Sequence, residues 1–170
     1  KYLFMNGEEF RALIKTHPLF LDGATGSNLL KRGMPAGVCP EKWILEHREA
    51  LIGLQKEFIE AGSNIVYAPT FSANRVKLRE YGLDGQIREI NHGLVEISKE
   101  AAGNRAYVAG DITMTGEQLA PIGRMDFEEL IETYKEQIGY LADAGVDLLV
   151  VETMMSLQET RAAIIAAKEP

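Results

Sequence analysis

Asp143-Ala144-Gly145-Val146-Asp147-Leu148-Leu149-Val150-Val151-Glu152 is the stretch on which the fold turns. Upstream of it, across residues 126–144, Phe127, Leu130, Ile131, Tyr134, Ile138, Leu141 and Ala142 recur at spacings of three and four. Glu128, Glu129, Glu132, Lys135 and Glu136 take the other side, so the spacing predicts a helix with one apolar stripe. Gly145 then ends the helix in a left-handed turn. Residues 146–151 run apolar almost without alternation, as a strand covered on both faces does. A one-sided helix feeding straight into a buried strand is the unit of an α/β fold. Glu60-Ala61-Gly62-Ser63-Asn64-Ile65 repeats the same junction.

Outward from these junctions, apolar runs at 19–21, 64–68 and 106–109 give three further strands. Helical patterns cover 48–60, through Leu51, Leu54, Phe58 and Ile59, and 84–102, through Ile87, Ile90, Leu94 and Val95. A last helix opens at Ser156, with Glu159 placed to complete a capping box. The order β-α-β-α-β-α-β-α implies parallel strands joined by right-handed crossovers, with residues 1–170 forming one unit. Two architectures fit: a small doubly wound open parallel sheet, or four units of a (βα)8 barrel. Units recur roughly every 40 residues, so a full barrel would need about twice this length. The pattern alone favours the open sheet, which 170 residues can complete.

Eighteen Lys and Arg against 25 Asp and Glu give a net charge of −7, and 46% of residues are apolar. This is the composition of a globular domain, and it argues against nucleic-acid or anionic-membrane partners, which ask for a basic stripe. A single cysteine, Cys39, can form neither an internal disulfide nor a zinc site of its own, which fits a reducing cytoplasm. No run approaches the ~20 apolar residues of a membrane span. The N-terminus lacks both a signal-peptide pattern and an initiator Met.

In either architecture a ligand sits beyond the carboxyl ends of the strands. Those ends carry Asp22, Pro69-Thr70-Phe71, Asp111 and Glu152. Carboxylates converging there suit an ammonium or a divalent metal, although any one of them could equally cap a helix. Gly23-Ala24-Thr25-Gly26-Ser27-Asn28 follows Asp22, and such a small-residue turn brings backbone N–H groups close to an anion. An acid beside an amide turn would grip both ends of an α-amino acid. Other residues read more simply. His92 lies opposite the apolar stripe of its helix and is expected in solvent. His17 and His47 have no metal-spaced partners. Cys39 has no cation nearby to activate it, and Met154 and Met155 are expected to pack near the mouth.

Taken together, Leu21-Asp22-Gly23-Ala24-Thr25-Gly26-Ser27, Glu60 to Val66 leading into Pro69-Thr70-Phe71-Ser72-Ala73-Asn74, Ala109-Gly110-Asp111-Ile112 and Val150-Val151-Glu152-Thr153-Met154 resemble the homocysteine S-methyltransferase family. The likeness is greatest to the N-terminal homocysteine-binding modules of the cobalamin-dependent methionine synthases. It covers nearly the whole chain and overrides the pattern-based preference, implying the N-terminal (βα)4 half of a TIM barrel.

The resemblance implies methyl transfer to the sulfur of homocysteine, giving methionine. On the matching positions Asp22 and Glu152 would hold the substrate ammonium, and the backbone at Gly23, Ala24 and Thr25 its carboxylate. Thr70 and Phe71 would line the pocket, with Asp111 in the same site. The family's zinc, held by three cysteines in the second half of the barrel, has no matching ligand here, and Cys39 is not one of them. The chain alone is therefore expected to be inactive, with the other half of the barrel, or a second copy in a homodimer, as partner. Methylcobalamin is the implied methyl donor, with betaine or S-methylmethionine as alternatives. A noncatalytic module or isolated half-barrel fragment remains open, as does another (βα) enzyme that uses Asp22, Asp111 and Glu152.

Overall fold

The structure, a computed structural model, describes residues 4–169. Among these residues eight α-helices and three strands follow one another. Helix α1 (Gly7–Thr16), α2 (Thr25–Lys31), α3 (Pro40–Glu46) and α4 (Arg48–Glu60) precede strand β1 (Ile65–Ala68). Then come α5 (Arg75–Arg79), a 3-10 turn (Asp84–Gln86), α6 (Ile87–Ala102), β2 (Tyr107–Ile112), α7 (Phe127–Asp143), β3 (Leu148–Val151) and α8 (Leu157–Lys168). The sheet is parallel with order β1-β2-β3, Val66 lying beside Val108 and Asp111 beside Val150. Gly62 and Gly145 both take positive φ, 113° and 82°, and end their helices as the repeated junction requires.

Of the four expected strands, the first is reduced to a single parallel bridge, Leu21 to Ile65. Side chains occupy the places a longer ladder would use. Asn64 Oδ1 accepts the Phe20 N–H, and the Ser63 hydroxyl donates to the Leu21 carbonyl. One backbone carbonyl, that of Phe20, takes the N–H groups of both Asn64 and Ile65.

Strand residues alternate between two faces. Val66, Ala68, Val108 and Ile112 join Leu130, Tyr134, Ile138 and Leu141 of α7 and Ala162, Ala163 and Ala166 of α8 in one core, with Leu149 and Val151 packed against it. A second core, among α3, α4 and α6, holds Ile44, Leu51, Leu54, Ile90 and Leu94. Tyr67 and Asp111 occupy the alternate positions, and their face carries a cavity.

Three local expectations change. Ser156 caps α8 through the N–H groups of Gln158 and Glu159, but the Glu159 carboxylate turns away to accept from the Thr115 amide and hydroxyl, so no capping box closes. His92 is half-buried, because Tyr140 of α7 lies edge-on to it at 6.4 Å. Met154 packs on the first core, whereas Met155 is exposed. Among the described residues no helix is long and apolar enough to cross a membrane.

Candidate functional site

Asp22 ends the vestigial first strand. Its Oδ2 accepts the Tyr67 backbone N–H at 3.0 Å, so a side chain continues the ladder where backbone pairing stops. Gly23 follows, and a Cβ there would stand 2.8 Å from a Phe58 ring carbon. Glycine is thus needed for close approach, which draws the Gly23-Ala24-Thr25 turn down onto the cavity rim.

Asp111 lies near the end of β2 and is buried. Its backbone N–H donates to the Thr70 hydroxyl at 3.0 Å, and that hydroxyl donates to the Asp111 carbonyl at 2.9 Å. Glu152 follows β3, its N–H bonded to the Ile112 carbonyl. The next residue, Thr153, has φ 52°, a costly left-handed conformation for a β-branched side chain. The Thr113 hydroxyl, 3.1 Å from the Glu152 carbonyl, secures this turn.

Asp22, Asp111 and Glu152 line one cavity of about 510 Å³, with Gly23, Ala24, Thr25, Tyr67, Phe71 and Glu41 also on its walls. No Lys, Arg or His stands among the described residues that line it. Burial pushes the Asp22 carboxyl up to about 6 despite the Tyr67 amide, and Glu152 adds to the shift. Burial, then Glu152 and Asp22, push Asp111 up to about 8. Burial and the same three acids hold the Tyr67 phenol up at about 12. Asp111 Oδ1 is enclosed and has no hydrogen-bond partner among the described residues. The cavity is a concentration of acceptors without a cation.

Seven of the eight site positions expected from the sequence therefore meet at this cavity. Thr70 does not: it is fully buried, its hydroxyl is taken up by the Asp111 backbone, and it acts as a support beneath the site. Glu41 and Tyr67 are cavity residues that the sequence reading did not single out. Glu41 shares the buried side of α3 with Ile44, three residues on, and an acid on an apolar stripe was the available signal. The Cys39 thiol is buried and donates to Glu41 Oε2 at 3.3 Å. Burial, with the Glu41 charge adding to it, pushes the thiol up to about 11, the opposite of what a metal-binding thiolate needs.

Residues 19–170 match the family model for homocysteine S-methyltransferase. The chain belongs to that family. Homocysteine S-methyltransferase relatives include the zebrafish (Danio rerio) betaine--homocysteine S-methyltransferase 1, 32% identical over 151 residues, covering 86% of this chain and 37% of the relative. The S-methylmethionine--homocysteine S-methyltransferase BHMT2 of Pongo abelii is 29% identical, covering 87% and 39%. The methionine synthase of Mycobacterium leprae (strain TN) is 25% identical, covering 86% and 13%. The chain thus spans under two fifths of the length of these relatives. In fold, it superposes on the metallated homocysteine methyltransferase MmuM of Escherichia coli with a TM-score of 0.77 at 22% identity, over 92% of this chain and 61% of that one.

Proposed function

We propose that this chain supplies the amino-acid recognition part of an enzyme that transfers a methyl group to the sulfur of homocysteine to give methionine. The observation that carries the reading is the uncompensated acid set. Asp22, Asp111 and Glu152 share one cavity, and among the described residues Asp111 Oδ1 has no partner and no cation lines the walls. A substrate ammonium provides the missing charge and its N–H donors, and charge-assisted hydrogen bonds to carboxylates are the strong kind. Asp22 and Glu152 hold that ammonium in this reading, with Asp111 beside them. The Gly23, Ala24 and Thr25 backbone faces the α-carboxylate, and Phe71 packs on the aliphatic chain.

Zinc activation of the substrate thiol, which the resemblance implies for the family, does not fit these residues. Cys39 is the only cysteine, and its thiol is protonated, buried and committed to Glu41. No step is therefore routed through a metal on this chain, and residues 1–170 alone are proposed to be inactive. The rest of a (βα)8 barrel, or a second copy of the chain, would cover the half-exposed β3 edge and the exposed Phe20 and Leu21. Collection of α7 and α8 on one face of the strands, with the acids on the other, supports the barrel-half reading over a doubly wound sheet.

Methylcobalamin is proposed as the donor, with betaine and S-methylmethionine, which relatives' names carry, as alternatives. Methionine formation from homocysteine, measured with each of the three donors, tests the reading. Turnover by the full-length protein with one of them, and none by residues 1–170 alone, is the expected result. No methionine with any donor contradicts the function, and turnover by residues 1–170 alone contradicts the division of labour.

A further inference from the structure

Glu41 is 3% exposed, has no cationic partner among the described residues, and belongs to the wall of the acid cavity. Burial raises its pKa, as expected for a carboxyl that gives up water for few donors. Such a group is costly to keep, and an apolar residue would pack beside Ile44 without that cost. Its two oxygens are divided between two segments of chain. Oε1 accepts the Ser72 backbone N–H at 3.1 Å, and Oε2 accepts the Cys39 thiol at 3.3 Å. An acceptor-only side chain can take both donors at once.

Ser72 follows Phe71 in the loop between β1 and α5, and buried side chains from the surrounding helices hold this loop at several points. Gln137 Nε2 of α7 donates to the Thr70 carbonyl at 2.9 Å, and Asn91 Nδ2 of α6 donates to the Ala73 carbonyl at 2.8 Å. Glu41 differs from these two in standing on the cavity wall itself and in gripping the amide next to Phe71. We propose that Glu41 is a positioning residue: through the Ser72 amide it fixes the Phe71–Ser72 wall against which homocysteine packs. The proposal rests on the homocysteine reading given above. A wall displaced by an ångström weakens substrate fit without touching the reacting groups.

Two variants of the full-length protein test it, with Asp22→Asn assayed in parallel. Glu41→Met fills the same space and accepts nothing, whereas Glu41→Gln keeps an oxygen for the Ser72 amide. In Glu41→Met, amide hydrogen exchange across 69–74 is expected to quicken and the homocysteine KM to rise about tenfold (about 1.4 kcal/mol), with kcat and the donor KM within threefold. Glu41→Gln is expected to stay within threefold of wild type in KM and to keep wild-type exchange. Wild-type exchange and KM in Glu41→Met overturn the proposal. So does a tenfold KM rise in Glu41→Gln with unchanged loop exchange, which would mean that the charge meets the substrate directly; this outcome overturns the proposal even if Glu41→Met does not fold. An absence of homocysteine turnover in the wild type overturns the homocysteine reading instead, and the exchange comparison then still tests the clamp.

Discussion

Asp22 Oδ2 accepts the Tyr67 backbone N–H at 3.0 Å, and this hydrogen bond extends the pairing of the short first strand with the sheet while holding the acid at the cavity. Structure and binding can therefore be separated by substitution. Asp22→Asn keeps an oxygen for the Tyr67 amide and loses the charge whose burial raises the Asp22 pKa, so at neutral pH it is expected to be at least as stable as wild type. Asp22→Ala removes the acceptor as well and is expected to be about 1–3 kcal/mol less stable than Asp22→Asn. Urea denaturation checks both, and equal stabilities for the two variants would contradict the structural half of the role.

The acid cavity predicts an inverted pH dependence. Asp22 and Asp111 both rise from 3.8, to about 6 and about 8, so between pH 3.8 and 8 the folded empty protein binds more protons than the unfolded chain. Stability then falls as pH rises through that window. Thermal unfolding without ligand is expected to give a Tm that declines from pH 5 to pH 8.5. Asp111→Asn should flatten the upper part of that decline, and an unchanged slope in this variant would show that Asp111 is not its source.

Thr70 is assigned a supporting role under Asp111. Thr70→Val leaves the buried Asp111 N–H without its acceptor and is expected to cost about 1–3 kcal/mol. Thr70→Ser retains the hydroxyl and should recover most of that loss. A shift in the denaturation midpoint for the valine variant but not the serine variant is the expected pattern, and a fully stable Thr70→Val contradicts it.

How far the sequence could be read depended on whether each element's cause was local. Helices α4, α6 and α7 were legible because their apolar residues repeat at helical spacing, and the glycine junctions at Gly62 and Gly145 because positive φ is a local demand. The convergence of Asp22, Asp111 and Glu152 followed from strand order alone. The loss of the first strand was not legible, since it depends on Asn64, Ser63 and Asp22 side chains meeting backbone groups more than 40 residues away in sequence. Glu159 likewise had two uses, a local cap or the distant Thr115, and the buried amide won. Helix α1 carries a complete Asn6–Glu9 capping box, a start signal contained within four residues of sequence.

Burial pushes the Cys39 thiol up to about 11 and it donates to Glu41 Oε2, so Cys39 is expected not to ligate zinc. Cys39→Ala is expected to leave the zinc content of the full-length protein unchanged by elemental analysis, within the error of the assay. A drop of one equivalent would reverse the assignment.

Calorimetric titration of the full-length protein with L-homocysteine, and with 4-mercaptobutyrate, which lacks the amino group, tests the central claim most directly. A charge-assisted hydrogen bond of about 1.5–3 kcal/mol corresponds to an affinity loss of roughly 10- to 150-fold. Asp22→Asn and Glu152→Gln are each expected to weaken homocysteine by that order while leaving the weaker binding of 4-mercaptobutyrate unchanged. Homocysteine affinity equal to wild type in both variants would contradict the claim that this acid cavity holds the ammonium of an amino acid.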